Sequence, residues 1–255
     1  THRRQRQMCI RDRTRTAPQL DRGSRRRLRT RAQLIDAARR IIAERGGIEA
    51  VPIAEITDAA DVAIGSFYNH FPSRDALFEA VVSETLEAHG RTLDALAAEI
   101  GDVAEFCAAA LRLTMRMVEA DPVWGGFMVQ MGTYLPELGL ILGRRLVDTL
   151  QRGIQTGRFT VANQATTLAV VAGVVFGAMH VRRSEASPGA FSDLWPDSFP
   201  DDADSLVAEQ LLQLLGLPRE EAAEIARRPL PESSEQLLLA ANAEQELSIS
   251  RRTTP

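Results

Sequence analysis

The sequence predicts an all-α fold, and three observations carry that expectation. Apolar residues recur at three- and four-residue spacing along most of the chain, no convincing alternating strand appears, and prolines and glycines punctuate the helical runs. The chain has 255 residues with 45% hydrophobic and 25% charged side chains, the balance of an ordinary globular protein.

Residues 1–27 read as a disordered basic arm. Gln7 to Arg13 back-translates to the mosaic end of a transposase-delivered sequencing adapter, so residues 1–13 are expected to be adapter-derived. Arg22, Arg25, Arg26, Arg27, Arg29 and Arg31 keep the arm basic without them. From Leu28 the pattern turns helical, with Leu34, Ile35, Ala38, Ile41 and Ile42 on one face and Gly46-Gly47 as its stop. Pro52 suits the first turn of a short helix through Ile53, Ile56 and Ala60. Asp61 to Ala63 makes a turn, and Ile64 to Phe71 a second short helix. Ser73 is an N-cap, with Asp75 in the first turn of a longer helix carrying Leu77, Val81 and Leu86. Further helices are expected at 102–119, 122–132, 136–156, 162–183, 203–216 and 218–228. Residues 184–202, with Phe191, Trp195 and Phe199, read as a long loop, either a partly ordered lid or disordered. Residues 229–255 read as a mobile tail with one helical stretch from Glu235 to Leu247.

Charge is distributed unevenly. Residues 1–45 hold 15 arginines against four acids, whereas the remaining residues hold 15 arginines against 30 acids. A basic end on an acidic body fits a polyanion meeting one end of the molecule, and equally a solvated tail. The absence of any lysine looks like coding bias. Two cysteines make no disulfide framework, which fits a reducing, cytoplasmic setting. The longest apolar stretch, Leu168 to Val181, falls short of a bilayer span, and no signal peptide is visible. His2, His70, His89 and His180 are scattered, and no HExxH, GxSxG or GxxxxGK[ST] occurs. No enzyme, catalytic residue, metal or cofactor is therefore expected. Cys107 reads as an inert thiol on an apolar helix face.

Two short helices joined by a turn and packed on a longer one form a helix-turn-helix, whose second helix enters the DNA major groove. On a wheel through residues 64–71, Phe67 and Phe71 share the inward face with Ile64, while Ser66, Asn69 and His70 face outward. Asn can pair bidentately with adenine, and Gly65 lets backbone approach DNA closely. Tyr68, His70 and Arg74 can contact phosphate.

Residues 34–78, LIDAARRIIAERGGIEAVPIAEITDAADVAIGSFYNHFPSRDALF, resemble the DNA-binding domain of the TetR family of bacterial transcriptional regulators. The landmarks are Ala37-Ala38, Gly46, Ile56, Ala60, Val62, Gly65, Tyr68, His70-Phe71, Ser73-Arg74 and Leu77. The resemblance implies a three-helix helix-turn-helix domain at 28–88 and a helical effector-binding and dimerisation domain at 89–228. It places DNA contact at Pro52, Ala63, Ile64, Gly65, Ser66, Tyr68, Asn69, His70 and Arg74. Pro52, Ala63 and Ile64 depart from the family's usual hydroxyl and lysine donors, and Asn69 stands where an aromatic is frequent. The arginine arm is a candidate replacement for the lost charge.

In the body, Gly173 and Gly177 with Ala169, Ala172 and Ala178 allow close helix approach, and the 203–216 helix carries surplus leucines. Both fit pairing of two copies, or tight packing within one. Trp124, Phe127, Met128, Met131, Tyr134, Phe176 and His180 are the candidate effector contacts, with Gln130, Tyr134 and His180 as polar anchors; core packing is the competing reading. The expected function is a homodimeric DNA-binding regulator, a repressor released from a palindromic operator by a small apolar or amphipathic effector. An activator, or an effector-independent DNA binder of the same fold, is the alternative. Partners are thus double-stranded DNA, a second copy and the effector, with no membrane.

Overall fold

The computed structural model describes residues 21–45, 51–131, 135–185 and 200–239, with side chains throughout except at 130–141, 184 and 185. Among these residues every regular element is a helix. They are α1 (Arg22–Arg45), α2 (Ile53–Ala59), α3 (Ile64–Phe67), α4 (Arg74–Glu99) and α5 (Val103–Ala120). They continue as α6 (Pro122–Met131), α7 (Leu135–Gln155), α8 (Gln164–Glu185), α9 (Ala203–Leu214) and α10 (Arg219–Ala226). A further helical stretch spans 232–239.

Short polar side chains start several of these helices. Ser73 Oγ accepts from the Ala76 amide at 3.1 Å to open α4, and Asp102 Oδ1 from Ala104 at 3.0 Å to open α5. Asp121 Oδ1 accepts from Val123 and Trp124 ahead of α6, and Asn163 Oδ1 from Thr166 at the start of α8. Gly216 closes α9 at φ 95°, where a Cβ would stand 2.5 Å from the Thr160 carbonyl oxygen; only glycine fits there. Helices α5 to α10 lie within two residues of their expected bounds.

Three expectations need correction. The basic arm was placed at 1–27, but α1 begins at Arg22, so its last six residues are helical. Arginine is a strong helix former, and Asp21 Oδ1 caps the start by accepting from the Ser24 amide. A run without apolar periodicity hid that helix. The second short helix is α-helical only from Ile64 to Phe67, and its exit is tightened by His70 N to Phe67 O at 2.9 Å. The mobile tail from 229 is contradicted as far as 239: Leu230 and Ser234 are buried, and Ser233 Oγ donates to Glu99 at 2.7 Å. The Gly46-Gly47 stop, the loop aromatics Phe191, Trp195 and Phe199, residues 1–20 and residues 240–255 lie outside the described residues.

Two large cores meet in the middle of the molecule. The first joins α1, α2, α3 and the front of α4 through Leu34, Ile42, Ile56, Phe67, Leu77 and Leu86. It also takes Trp124, Phe127 and Met128 from α6 and Met179 from α8, so the N-terminal helices are fused to the body. The second is built from α5, α7, α8, α9 and α10 around Leu111, Met115, Leu212 and Ile225. α4 runs unbroken through residues 88 and 89, where the domain boundary was expected, and serves both halves.

Ion pairs lock the body. Asp204, almost fully buried on α9, lies 2.7 Å from Arg116 and 3.4 Å from the equally buried Arg112 of α5. Arg112 also donates to the Arg228 carbonyl oxygen at 2.5 Å. Arg158 forks onto Asp102 and reaches Glu221 at 2.6 Å. Removing Asp204 would leave the Arg112 guanidinium buried without a counterion. Asp204→Ala is expected to lower unfolding free energy by about 3–5 kcal/mol, read from urea midpoints at unchanged m-value, and Arg112→Met in the same chain to recover much of the loss.

Candidate functional site

α3 is held from behind. Phe67 is fully buried and Phe71 nearly so, their rings 5.8 Å apart, and Tyr68 meets Phe67 edge-on at 5.2 Å. Outward lie Gly65, Tyr68 (58% exposed) and Asn69, with Ser66 and His70 half-buried beside them. Ile64, expected on the inward face, is 50% exposed instead. It is the first residue of the helix and projects past the edge of the core. A Cβ on Gly65 would meet nothing within 4 Å, so no contact inside the protein calls for glycine there. Exposed Pro52 and Ala63 precede α2 and α3, and neither supplies a side-chain cap.

The front of α1 completes this face. Arg27 donates to the Asn69 carbonyl oxygen at 3.2 Å, while Arg31 lies 5.1 Å from the Phe71 ring centroid and pairs with Glu84. Partial burial, with Arg27 and Arg31 nearby, pushes the His70 imidazole below its ordinary pKa. That shift favours the neutral ring, which carries one N–H donor and one acceptor nitrogen. Arg74 packs over the Phe78 ring at 5.6 Å and keeps its guanidinium near Asp75. Arg22, Arg25, Arg26 and Arg29 are exposed along the same end. The result is a cationic rim around a small, hydrogen-bonding ridge, suited to a polyanion with readable edges.

Behind this face a cavity of about 500 Å³ opens between α4, α5, α7, α8 and α9. Its wall is mostly apolar, with Phe106, Leu146, Phe159, Val171 and Leu211 among its members. Of the expected effector contacts, Met128 and Phe176 line it. Trp124 and Phe127 do not: both are spent in the first core, where α6 packs on α1. His180 also lies off the wall, on the exposed side of α8. Tyr134 and the side chains of Gln130 and Met131 fall outside the described residues.

Sequence reasoning missed the polar members. His89 of α4 and Thr114 of α5 are buried in the wall, 3.2 Å apart, with Trp124 5.0 Å from the imidazole. Asp94 and Arg145 form a two-bonded pair, at 2.9 and 2.7 Å, tying α4 to α7 at the cavity's edge. Burial, then the Arg145 charge, lowers the His89 pKa to about 4, so this ring is neutral at pH 7. The clue was its spacing: residue 89 falls on the stripe of Leu86, Leu93 and Leu96. Cys107 also lines the cavity, and burial raises its thiol to about 12, too high for a nucleophile. Among the described residues no three His, Cys, Asp or Glu side chains come together as a metal site.

One outer face of the body is apolar. Along α8, Ala169, Val170, Gly173 and Gly177 are exposed, and a Cβ on either glycine would meet nothing within 4 Å. Gln164–Arg183 is, by length and composition alone, apolar enough to cross a membrane, with 22% of it buried.

Comparison with known proteins follows this geometry. The pattern of bacterial regulatory proteins of the tetR family matches residues 34–81, and a tetracyclin repressor-like C-terminal domain matches residues 102–228. The crystal structure of RolR in complex with the ligand resorcinol is 38% identical, covering 82% of this chain and 98% of that one, with a TM-score of 0.60. RolR without ligand is 36% identical over 79% and 98%, with a TM-score of 0.58. The fatty acid degradation regulator FadR from Bacillus halodurans is 21% identical over 74% and 96%, with a TM-score of 0.56, a likeness of fold alone. No curated protein matches by sequence.

The buried imidazole has a measurable signature. Its folded pKa of about 4 lies below the unfolded value, so between pH 7 and 5 the unfolded chain binds a proton that the folded one refuses. Stability should fall as pH falls, by about 2 kcal/mol from this group by pH 5. Chemical denaturation at the two pH values should show a smaller drop for His89→Gln.

Proposed function

The chain belongs to the TetR family of bacterial transcriptional regulators, and we propose that it is a homodimeric cytoplasmic repressor that a small amphipathic effector releases from a palindromic operator. One observation carries this reading. α4 starts at Arg74, directly after the α3 segment, and its second half supplies His89, Leu93 and Asp94 to the cavity wall. A ligand that shifts α4 from inside the cavity shifts the base-reading ridge with it.

The DNA-facing assignment is Pro52, Ala63, Ile64, Gly65, Ser66, Tyr68, Asn69, His70 and Arg74. The exposure of Tyr68 and Asn69 supports base or phosphate contact, and the arginines at the front of α1 supply charge that Pro52, Ala63 and Ile64 lack. The apolar α8 face supports pairing with a second copy, which would set two recognition ridges into successive major grooves about 34–36 Å apart. The resorcinol complex of RolR supports a small hydroxylated aromatic as the effector class. Met128 and Phe176 are the retained effector contacts, joined by His89 and Thr114.

Footprinting on the DNA flanking the gene tests the reading: a short palindromic footprint is expected, and uniform coverage would refute it. Tyr68→Ala and Asn69→Ala should each weaken specific binding by about 1–3 kcal/mol at constant salt, with an unchanged circular dichroism spectrum. Gly173→Leu together with Gly177→Leu should convert a dimer to a monomer in light scattering and reduce operator affinity at least tenfold. A dimer unaffected by both leucines would place the pairing surface elsewhere.

A further inference from the structure

The cavity meets solvent along one seam. Among the described residues of its wall, only Asp94 of α4 and Asp148 and Arg152 of α7 are exposed; the members from α5, α8 and α9 are buried or half-buried. The mouth therefore lies between α4 and α7, and a ligand bound for the interior passes between these helices. Arg145 stands across that passage. It reaches from α7 to α4, where Nε and Nη2 donate to the two carboxylate oxygens of Asp94 at 2.9 and 2.7 Å. Gly90, one turn earlier on α4, gives the guanidinium a seat: a Cβ there would stand 2.6 Å from Cζ and 2.7 Å from Nη1. The other polar groups of the wall do not bridge the two helices. His89 and Thr114 are buried and bonded to each other, and Thr149 and the buried Cys107 thiol carry no charge. Arg152 lies over the Phe106 ring of α5 at 5.9 Å. Asp148 is exposed and makes no ion pair among the described residues, and Glu87, the other acid near Arg145, pairs with Arg91 at 3.9 Å.

We propose that the Arg145–Asp94 pair is the gate of the cavity: it bars the mouth when made, and a ligand enters when the guanidinium leaves Asp94 and swings off Gly90. This rests on reading the cavity as the effector site. Partial exposure suits the pair to opening. With 34% of the Arg145 side chain and 58% of the Asp94 side chain exposed, water and salt compete for both charges, so the pair breaks at small cost and without loss of fold. The buried Arg112–Asp204 pair, in contrast, would leave stranded charges if it parted. Asp94 belongs to α4, so each opening also slackens α4 against α7.

The test is stopped-flow fluorescence on the full chain with N-phenyl-1-naphthylamine, an uncharged dye that brightens in apolar surroundings. The protein's field does not steer an uncharged probe, and any effect of salt on the dye itself is shared by every variant, so salt distinguishes them only through the gate. In the wild type the association rate should rise about two- to threefold between about 0.05 and about 0.5 M sodium chloride. Arg145→Leu removes the bar and Gly90→Ala unseats it; at low salt each should take up dye about three- to fivefold faster than the wild type, with no further rise. Arg145→Lys should keep part of the salt response. Arg152→Leu, on the α5 side of the mouth, should keep all of it. A wild-type rate indifferent to salt, or a salt response undiminished in Arg145→Leu, would overturn the gate while leaving the cavity as an effector site. Undiminished dye binding by Leu146→Trp, which fills the cavity, would instead overturn the cavity reading itself. So would failure of the wild type and Arg145→Leu alike to bind the dye.

Discussion

A helix of four residues cannot hold itself in water, because nucleation costs more than so few hydrogen bonds return. α3 exists because Phe67, fully buried, plugs it into the core formed by α1, α2 and α4. Phe71 fastens its exit beneath Arg31. The display of Tyr68, Asn69 and Gly65 follows from that anchorage. The ridge is rigid only because its reverse side is occupied, so its precision is a property of the core rather than of the motif.

The same core explains how the two halves can communicate. α6 carries Trp124, Phe127 and Met128 into the packing around α1, while Met128 also reaches the cavity wall. α4 passes His89 to the cavity and Leu77 to the core under α3. Gly90 brings the Arg145 guanidinium against α4 so closely that a Cβ would stand 2.6 Å from its Cζ. Close-packed interiors transmit displacement and do not absorb it. The Asp94–Arg145 pair and the packing at Gly90 thus make α7 a second grip on α4, toward the end remote from α3.

Much of this was legible in residue spacing, and the exceptions have physical causes. Helices α5 to α10 declared themselves through apolar stripes bounded by Asp121-Pro122, Gly157 and Pro218. The start of α1 did not, since arginines at Arg25, Arg26 and Arg27 favour a helix without marking a face. Ile64 misled because a wheel assigns a face even to a residue that projects beyond its core. Trp124 and Phe127 looked like pocket residues because size and apolarity are the same whether a side chain fills a core or lines a void. The cavity's polar members were obscured differently: Thr114 contacts His89 across 25 positions and Arg145 pairs with Asp94 across 51, separations that no local pattern encodes.

The bond from Arg27 to residue 69 has an evolutionary corollary. It grips the peptide carbonyl of Asn69 and leaves the side chain out of the contact. Every amino acid carries that carbonyl, so residue 69 is interchangeable as far as the clamp is concerned. On the proposed DNA-facing assignment, mutation there would change which sequence is read while the scaffold beneath stays put. Under that assignment, target choice and foldability are uncoupled at this one position, and such proteins could diversify their addresses without rebuilding their architecture.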